Sequence, residues 1–440
     1  MSELAVSEDD EVEPINASVA ETRTVKDIIV MGSDRFVGLL TVTIPQSGRL
    51  SAKMRLAAGG YVSFLSEGWN RLEGRDLVAE LRDIDGGAET VSVRAAVDGG
   101  LTVATSLGDT CVVPAVQWSS ATPASAWQGY YTVSMPQTSV VDVDGFKANP
   151  LTSGAGYATL KMSATSAASG KMAYAGVLPN GRAFSGIGVL TPDVDSWNSD
   201  RGAYDYVFLP VISETDGDRF FGVFKVMAEA AHPQCRSVFA APLFTWVRDG
   251  DREELVRTTA MDAFGSGYDG DYDIAEACSE TFQEELEMLK FFALSNELYD
   301  HDGFARGAAK AWDTTYTSVK VWSASGVTKI KIKPYAEEAK ARNGLVFSFN
   351  RDSGVVSGSL RLDFEDGSSA NALFRGVVLP RWGASCAACS FGVNELTLRP
   401  FISGSAWFTD TYGYTTAKGR PMTKDVKRGC SFSVGVNPGE

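Results

Sequence analysis

The sequence predicts an all-β protein: a large antiparallel meander closed into a β-barrel or folded as a sandwich, a short helical connector, and a second, smaller antiparallel β domain. Three observations carry this. From residue 28 to about 248, short alternating runs are separated by Gly, Asp, Asn or Pro; residues 249–299 lose the alternation and take a helical spacing; alternating runs then resume. A period of two gives a strand one buried face, and a period of 3.6 gives a helix one. The chain therefore divides into an acidic disordered tail (1–25), a large barrel domain (26–250), a helical connector (251–300) and a smaller β domain (301–440).

The elements follow in order. The opening "MSELAVSEDDEVEPINASVAE" is acidic and has no apolar core of a signal peptide, a composition that favours disorder. In "LTVTI", Leu40, Val42 and Ile44 share one face and Thr41 and Thr43 the other; in "SAKMRL", Ala52, Met54 and Leu56 oppose Lys53 and Arg55. Similar runs continue through "TVSVRAAV", "YYTVSM", "YATLKMSA", "RFFGVFKVM" and "PLFTWV". Many strands with short links favour an antiparallel barrel or sandwich. "DGDREELVRTTAMDAFGSG" opens on N-capping Asp residues and stops at Gly265 and Gly267, and Cys278, Phe282, Leu286, Leu289 and Phe292 fall at helical spacing, so two helices are expected. Between them Asp269, Asp271 and Asp273 form an acidic turn without the glycine that a calcium loop needs at its sixth position. Strands return at "TSVKVW", "TKIKIKPY", "LVFSFN", "ALFRGVVL" and "CSFSVGV". In "TKIKIK", Lys329, Lys331 and Lys333 share a face, read as solvated and as a guard against edge pairing.

Three segments share one plan of strand, Ser-Gly, strand, glycine turn, strand. They run from Leu40 through Ser47-Gly48 to Gly59-Gly60, from Thr159 through Ser169-Gly170 to Asn180-Gly181, and from Leu345 through Ser353-Gly354 to Asp366-Gly367. Asn-Gly and Asp-Gly suit tight hairpins because both central residues need positive φ. This plan is scaffold. The middle copy, "GYATLKMSATSAASGKMAYAGVLPNGRAFSGIGVLTP", carries Gly156, Thr159, Leu160, Gly170, Lys171, Gly176, Asn180, Gly181, Phe184, Ser185, Gly186 and Gly188. It resembles a glycine-punctuated module of large secreted or surface proteins of verrucomicrobial and related bacteria. The resemblance spans about residues 28–250, with a looser copy from about 315 to 440. It implies an antiparallel β-barrel in an exported protein of undefined activity, with Phe221-Gly222 opening a strand and Trp246 closing the module.

Composition excludes several classes. A formal net charge of −15 over 440 residues repels nucleic-acid phosphates, and no apolar run reaches the ~20 residues of a membrane-spanning helix. Six cysteines are too few for a disulfide-built fold; Cys386 and Cys389 form one CxxC, read as a structural disulfide or as buried thiols. His232 and His301 are the two histidines, and neither has a nucleophile motif beside it. Neither a phosphate-binding glycine loop nor a metal or cofactor site emerges.

The remaining chemistry is aromatic. Trp127, Tyr130 and Tyr131 in "AWQGYYTV", and Trp407, Tyr412 and Tyr414 in "AWFTDTYGY", sit near strand ends, where a flat ring can stack on a sugar. The opposing expectation is that these rings plug the barrel as core residues with a polar handle. The leading expectation is a non-enzymatic, exported structural or adhesion-type module that presents loops to a glycan or surface-protein partner. A carbohydrate-active enzyme with a carboxylate pair and a surface-assembly subunit are the alternatives. Location is expected outside the cell or at its surface, with the cytoplasm as the alternative because the acidic start lacks a leader.

Overall fold

The computed structural model describes residues 14–15, 22–33, 35–45, 49–67, 69–71, 77–96, 100–114, 118–141, 147–148, 155–179, 181–215, 217–228, 236–248, 257–268, 289–293, 316–324, 327–334, 346–350, 352–363, 367, 369–379, 399–416 and 418–436. The architecture is all-β and antiparallel, as alternation predicts. Two compact units result: Met1–Thr122 with Thr191–Tyr204, and Pro123–Leu190 with Asp205–Glu440.

The first unit is a nearly closed antiparallel barrel. Its strands are β1 (Arg23–Met31), β2 (Phe36–Ile44), β3 (Ser51–Leu56), β4 (Tyr61–Ser66), β5 (Leu77–Asp83), β6 (Thr90–Ala95), β7 (Leu101–Thr105) and β8 (Gly108–Val113). They pair in chain order. The alternation dictates the interior: Leu40, Val42, Met54, Phe64, Leu81, Val91, Val93 and Val103 form one buried cluster. β8 lies alongside β1 to close the ring. Across that seam the Cys111 thiol donates to the Ile29 carbonyl at 2.7 Å, and burial pushes the thiol pKa up to about 11. Gly108 makes the approach feasible, since a Cβ there would sit 2.6 Å from the Met31 carbonyl oxygen. The expected acidic tail is shorter than residues 1–25: Arg23–Val25 open β1, and Pro14–Ile15 pair with Trp69–Asn70. Val25 explains this, because it is apolar and buried in the barrel cluster.

The second unit begins with β9 (Gly129–Val141), β10 (Ala155–Met162), β11 (Lys171–Val177), β12 (Ala183–Val189), β13 (Tyr206–Thr215), β14 (Asp218–Met227), β15 (Val238–Ala240), β16 (Phe244–Arg248), β17 (Arg257–Met261) and β18 (Phe264–Gly267). The sheet runs β12-β11-β10-β9-β17-β16-β14-β13, with β18 pairing β9 and β15. β12 lies against β13, so this sheet also curls round an interior. Aromatic rings fill it: Phe220 stacks on Phe244 with ring centroids 5.0 Å apart, and Phe184 and Phe224 pack against that pair. Residues 26–250, read from sequence as one barrel, thus supply strands to two separate sheets.

The third sheet comprises β19 (Leu289–Ala293), β20 (Tyr316–Ala324), β21 (Val327–Pro334), β22 (Val346–Asn350), β23 (Val355–Asp363), β24 (Ser369–Val378), β25 (Arg399–Thr415) and β26 (Pro421–Val436). Its order is β19-β26-β25-β24-β23-β22-β21-β20. One face buries Phe349, Val356 and Phe374. The other face packs Val377, Leu379 and Trp407 onto Tyr157 and Val177 of the second sheet.

The helical connector at 251–300 is a correction. Its described residues are the strands β17, β18 and β19. β17 has a partner on each edge, β9 and β16, so the ladders offered by the sheet outweigh the helical spacing. Asp269, Asp271, Asp273, His232, His301, Cys386 and Cys389 lie outside the described residues.

The three segments with the shared plan each form three consecutive strands: β2-β3-β4, β10-β11-β12 and β22-β23-β24. In the second and third, the Ser-Gly link ends in a glycine of φ near +60° (61° at Gly170, 64° at Gly354), a conformation costly for a residue with a Cβ. Each of these glycines offers its carbonyl to the end of the third strand, to Leu190 N and to Val378 N.

β9 holds the second and third sheets together. Its inward residues Tyr131, Val133 and Met135 are buried in the second sheet's interior, and its outward residues Thr132 and Ser134 are buried beneath the third sheet. Thr132 donates to the Val378 carbonyl at 2.6 Å, and the Ser134 and Ser403 hydroxyls meet at 2.6 Å.

Gly108→Ala is expected to destabilise the first unit by about 1–3 kcal/mol in urea denaturation and to speed maleimide labelling of Cys111, mapped by mass spectrometry. Ser134→Ala and Ser403→Ala should each cost about 1–2 kcal/mol, while the double variant falls short of their sum by about 1 kcal/mol. Additive losses would show that the two hydroxyls do not depend on each other.

Candidate functional site

Each aromatic residue singled out in the sequence has a definite place. Trp127 and Tyr131 are only 3% and 0% exposed. Trp127 donates its indole N–H to the Val226 carbonyl at 3.2 Å, and the Tyr131 hydroxyl donates to the Trp127 carbonyl at 2.9 Å. Arg236 completes this end of the sheet's interior. Its guanidinium lies 4.7 Å from the Tyr131 ring centre and donates to the Tyr131 hydroxyl at 3.0 Å and to the Gln128 carbonyl. With no exposed ring face, Trp127 and Tyr131 cannot stack on a sugar, and that expectation is corrected. Residue parity decides the matter: Tyr131 shares a face with Val133 and Met135, so the alternation that makes the core also buries the ring.

The opposite end of this interior is closed by a second tryptophan. Trp246 donates its indole N–H to Asp218 Oδ2 at 3.3 Å, and Asp218 Oδ1 receives Arg182 at 2.8 Å. Asp218 is buried and Arg182 is one-third exposed. This carboxylate is committed within the fold to an ion pair and an indole N–H.

Tyr130 and Trp407 go to the outer face of the second sheet. Tyr130 is half-buried and meets Tyr268 edge-on with ring centroids 6.2 Å apart. Burial raises its hydroxyl pKa, and a hydrogen bond with Thr159 partly offsets the rise. Trp407 is buried against Tyr157 and Val177. Tyr412 and Tyr414 lie further along β25, opposite Lys424 and Met422 in the ladder. The six residues therefore do not converge on one platform.

A different aromatic pair is displayed. Trp197–Asn198 pairs with Ala203–Tyr204 in a small hairpin of the first unit. Asn198 Oδ1 accepts the backbone N–H groups of Asp200 and Arg201, which shapes the turn. Trp197 is 52% exposed, and Tyr204 braces it edge-on with ring centroids 4.9 Å apart. Burial raises the Tyr204 hydroxyl pKa. Sequence reasoning passed over this pair although the signal was present: "WNSDRGAY" sets two aromatic residues on either side of a turn-forming Asn-Ser-Asp-Arg-Gly run. The arrangement offers a flat apolar surface held at a fixed angle, with carboxylate and amide groups close in sequence.

Among the described residues no group of three or more His, Cys, Asp or Glu side chains is placed to hold a metal ion. No helix of the described residues is long and apolar enough to cross a membrane. No protein-family model, no curated protein and no solved structure matches the chain.

Asp218→Ala should destabilise the protein by about 2–3 kcal/mol, just below the ~3–5 kcal/mol for breaking a fully buried pair, because Arg182 keeps some solvent. The shift of the urea midpoint measures it. A loss below about 0.5 kcal/mol would reduce the pair to a surface ion pair.

Proposed function

We propose that the chain is a non-enzymatic structural or adhesion-type module, acting outside the cell or at its surface, that presents the Trp197 hairpin to a glycan. The observation carrying this reading is the half-exposed Trp197 ring, braced edge-on by Tyr204 at the end of a short hairpin. The flat apolar face of an exposed tryptophan matches the C–H face of a pyranose, and its edge-on brace holds that face ready for contact. The buried polar groups support a scaffold rather than a catalyst. Asp218, Trp127, Trp246, Thr132 and Ser134 all have partners inside the fold. The runner-up, a carbohydrate-active enzyme, needs two carboxylates facing across one cleft.

The test is an immobilised glycan array probed with the full chain and with Trp197→Ala. Binding to a defined glycan class is expected, and the variant should lose about 2 kcal/mol, roughly 30-fold in Kd, with an unchanged melting temperature. Equal binding by the two proteins would remove Trp197 from the contact. Binding to surface protein but to no glycan would replace the glycan by a protein partner.

A further inference from the structure

The hairpin β25–β26 outruns its sheet. The ladder to β24 ends at the rung Leu373–Trp407, and the ladder to β19 ends at Ala293–Phe432. From Phe408–Arg428 to Thr415–Pro421, eight rungs follow in which β25 and β26 pair with each other, and no third strand joins them among the described residues. Eight rungs reach about 25 Å past Trp407. A free two-stranded ribbon of that length is marginal in water unless something covers it.

The register sorts the ribbon's residues. Positions 408, 412 and 414, which are Phe, Tyr and Tyr, share a face with their partners at 428, 424 and 422, and the rung Asp410–Val426 joins them. The alternate positions are Thr409, Thr411, Gly413 and Thr415, opposite Lys427, Asp425, Thr423 and Pro421. Near the tip Met422 is 48% exposed, and Lys418, Arg420 and Pro421 are exposed beside it. Charge does not follow this division but belongs to the ribbon as a whole, most of all its tip. The ribbon has five basic residues, Lys418, Arg420, Lys424, Lys427 and Arg428, against Asp410 and Asp425, whereas the whole chain carries −15. The remainder of the molecule is therefore more acidic still.

We propose that this ribbon is a docking arm for a second copy of the chain, its basic, partly apolar tip lying against the acidic body of a neighbour. The arm is longer than the ~8 Å Debye length at physiological salt, so the tip is screened from the bulk of its own body's charge but meets a neighbour's at contact range. Arm-to-body contact joins two different surfaces. It therefore propagates from copy to copy unless the geometry closes into a ring. This inference is independent of the Trp197 reading.

The test is sedimentation velocity of the full chain at micromolar concentrations in about 50 mM and about 500 mM salt, where screening differs severalfold. Wild type, Lys418→Glu/Arg420→Glu/Lys424→Glu and the uncharged change Met422→Gln are compared, with circular dichroism and melting curves as the check on folding. Wild type should associate at low salt and fall to monomer at high salt. The charge-reversed protein should be monomeric at both, and Met422→Gln should weaken association several-fold. A wild type that stays monomeric at low salt, or variants that both associate as strongly as wild type, would overturn the proposal. So would a monomeric wild type whose ribbon binds polygalacturonate in a manner lost on charge reversal, which would make an anionic polymer the occupant.

Discussion

The second unit depends on one strand being buried on both faces. β9 carries Tyr131, Val133 and Met135 into its own sheet and turns Thr132 and Ser134 toward the third. A doubly buried strand usually has apolar residues on both faces. Here the outer face has hydroxyls, each matched to one acceptor or partner, Val378 O and Ser403. Apolar contact alone tolerates sliding; a buried hydroxyl that loses its partner does not. The two bonds therefore fix the position of the third sheet on the second. They also fix the strand's parity, since a slip of one residue would turn Tyr131 and Met135 outward.

With parity fixed, the interior fills itself. Phe184, Phe220, Phe224 and Phe244 occupy the middle of the second sheet, and each end is closed by a tryptophan whose indole N–H is used within the fold. An arginine assists at both ends, Arg236 over Tyr131 and Arg182 on Asp218. Such an interior leaves recognition to what projects from the scaffold. The Trp197 hairpin, with its exposed indole, and the basic β25–β26 ribbon are two such features.

Much of this was legible in the sequence. The period-two runs around Leu40, Met54 and Val103 name the barrel's interior residues, and the Ser-Gly and Asn-Gly or Asp-Gly steps mark the links of the three-strand segments. Two features were not legible. Residues 257–267 have mixed spacing, and only the free edges of β9, β15 and β16 decide for strand; that information is non-local. An aromatic cluster such as Trp127-Tyr130-Tyr131 does not announce which ring faces inward until the parity of its strand is known. Trp197 was readable in principle, because an aromatic residue on each side of a polar turn is a local signal.

The seam of the first barrel has a mechanical consequence. β1 and β8 lie side by side, and with eight alternating strands between entry and exit the chain enters and leaves at the same end of the barrel. Cys111 gives that seam a hydrogen bond from a side chain to a backbone carbonyl. Tension drawn through the flanking chain would load the ladders of β1 with β2 and of β8 with β7 rung by rung from that end, as a zip is pulled, instead of all at once in shear. Under load the first unit would then lengthen by peeling from its own seam, strand by strand, taking up strain before it reached the interlocked sheets of the second unit.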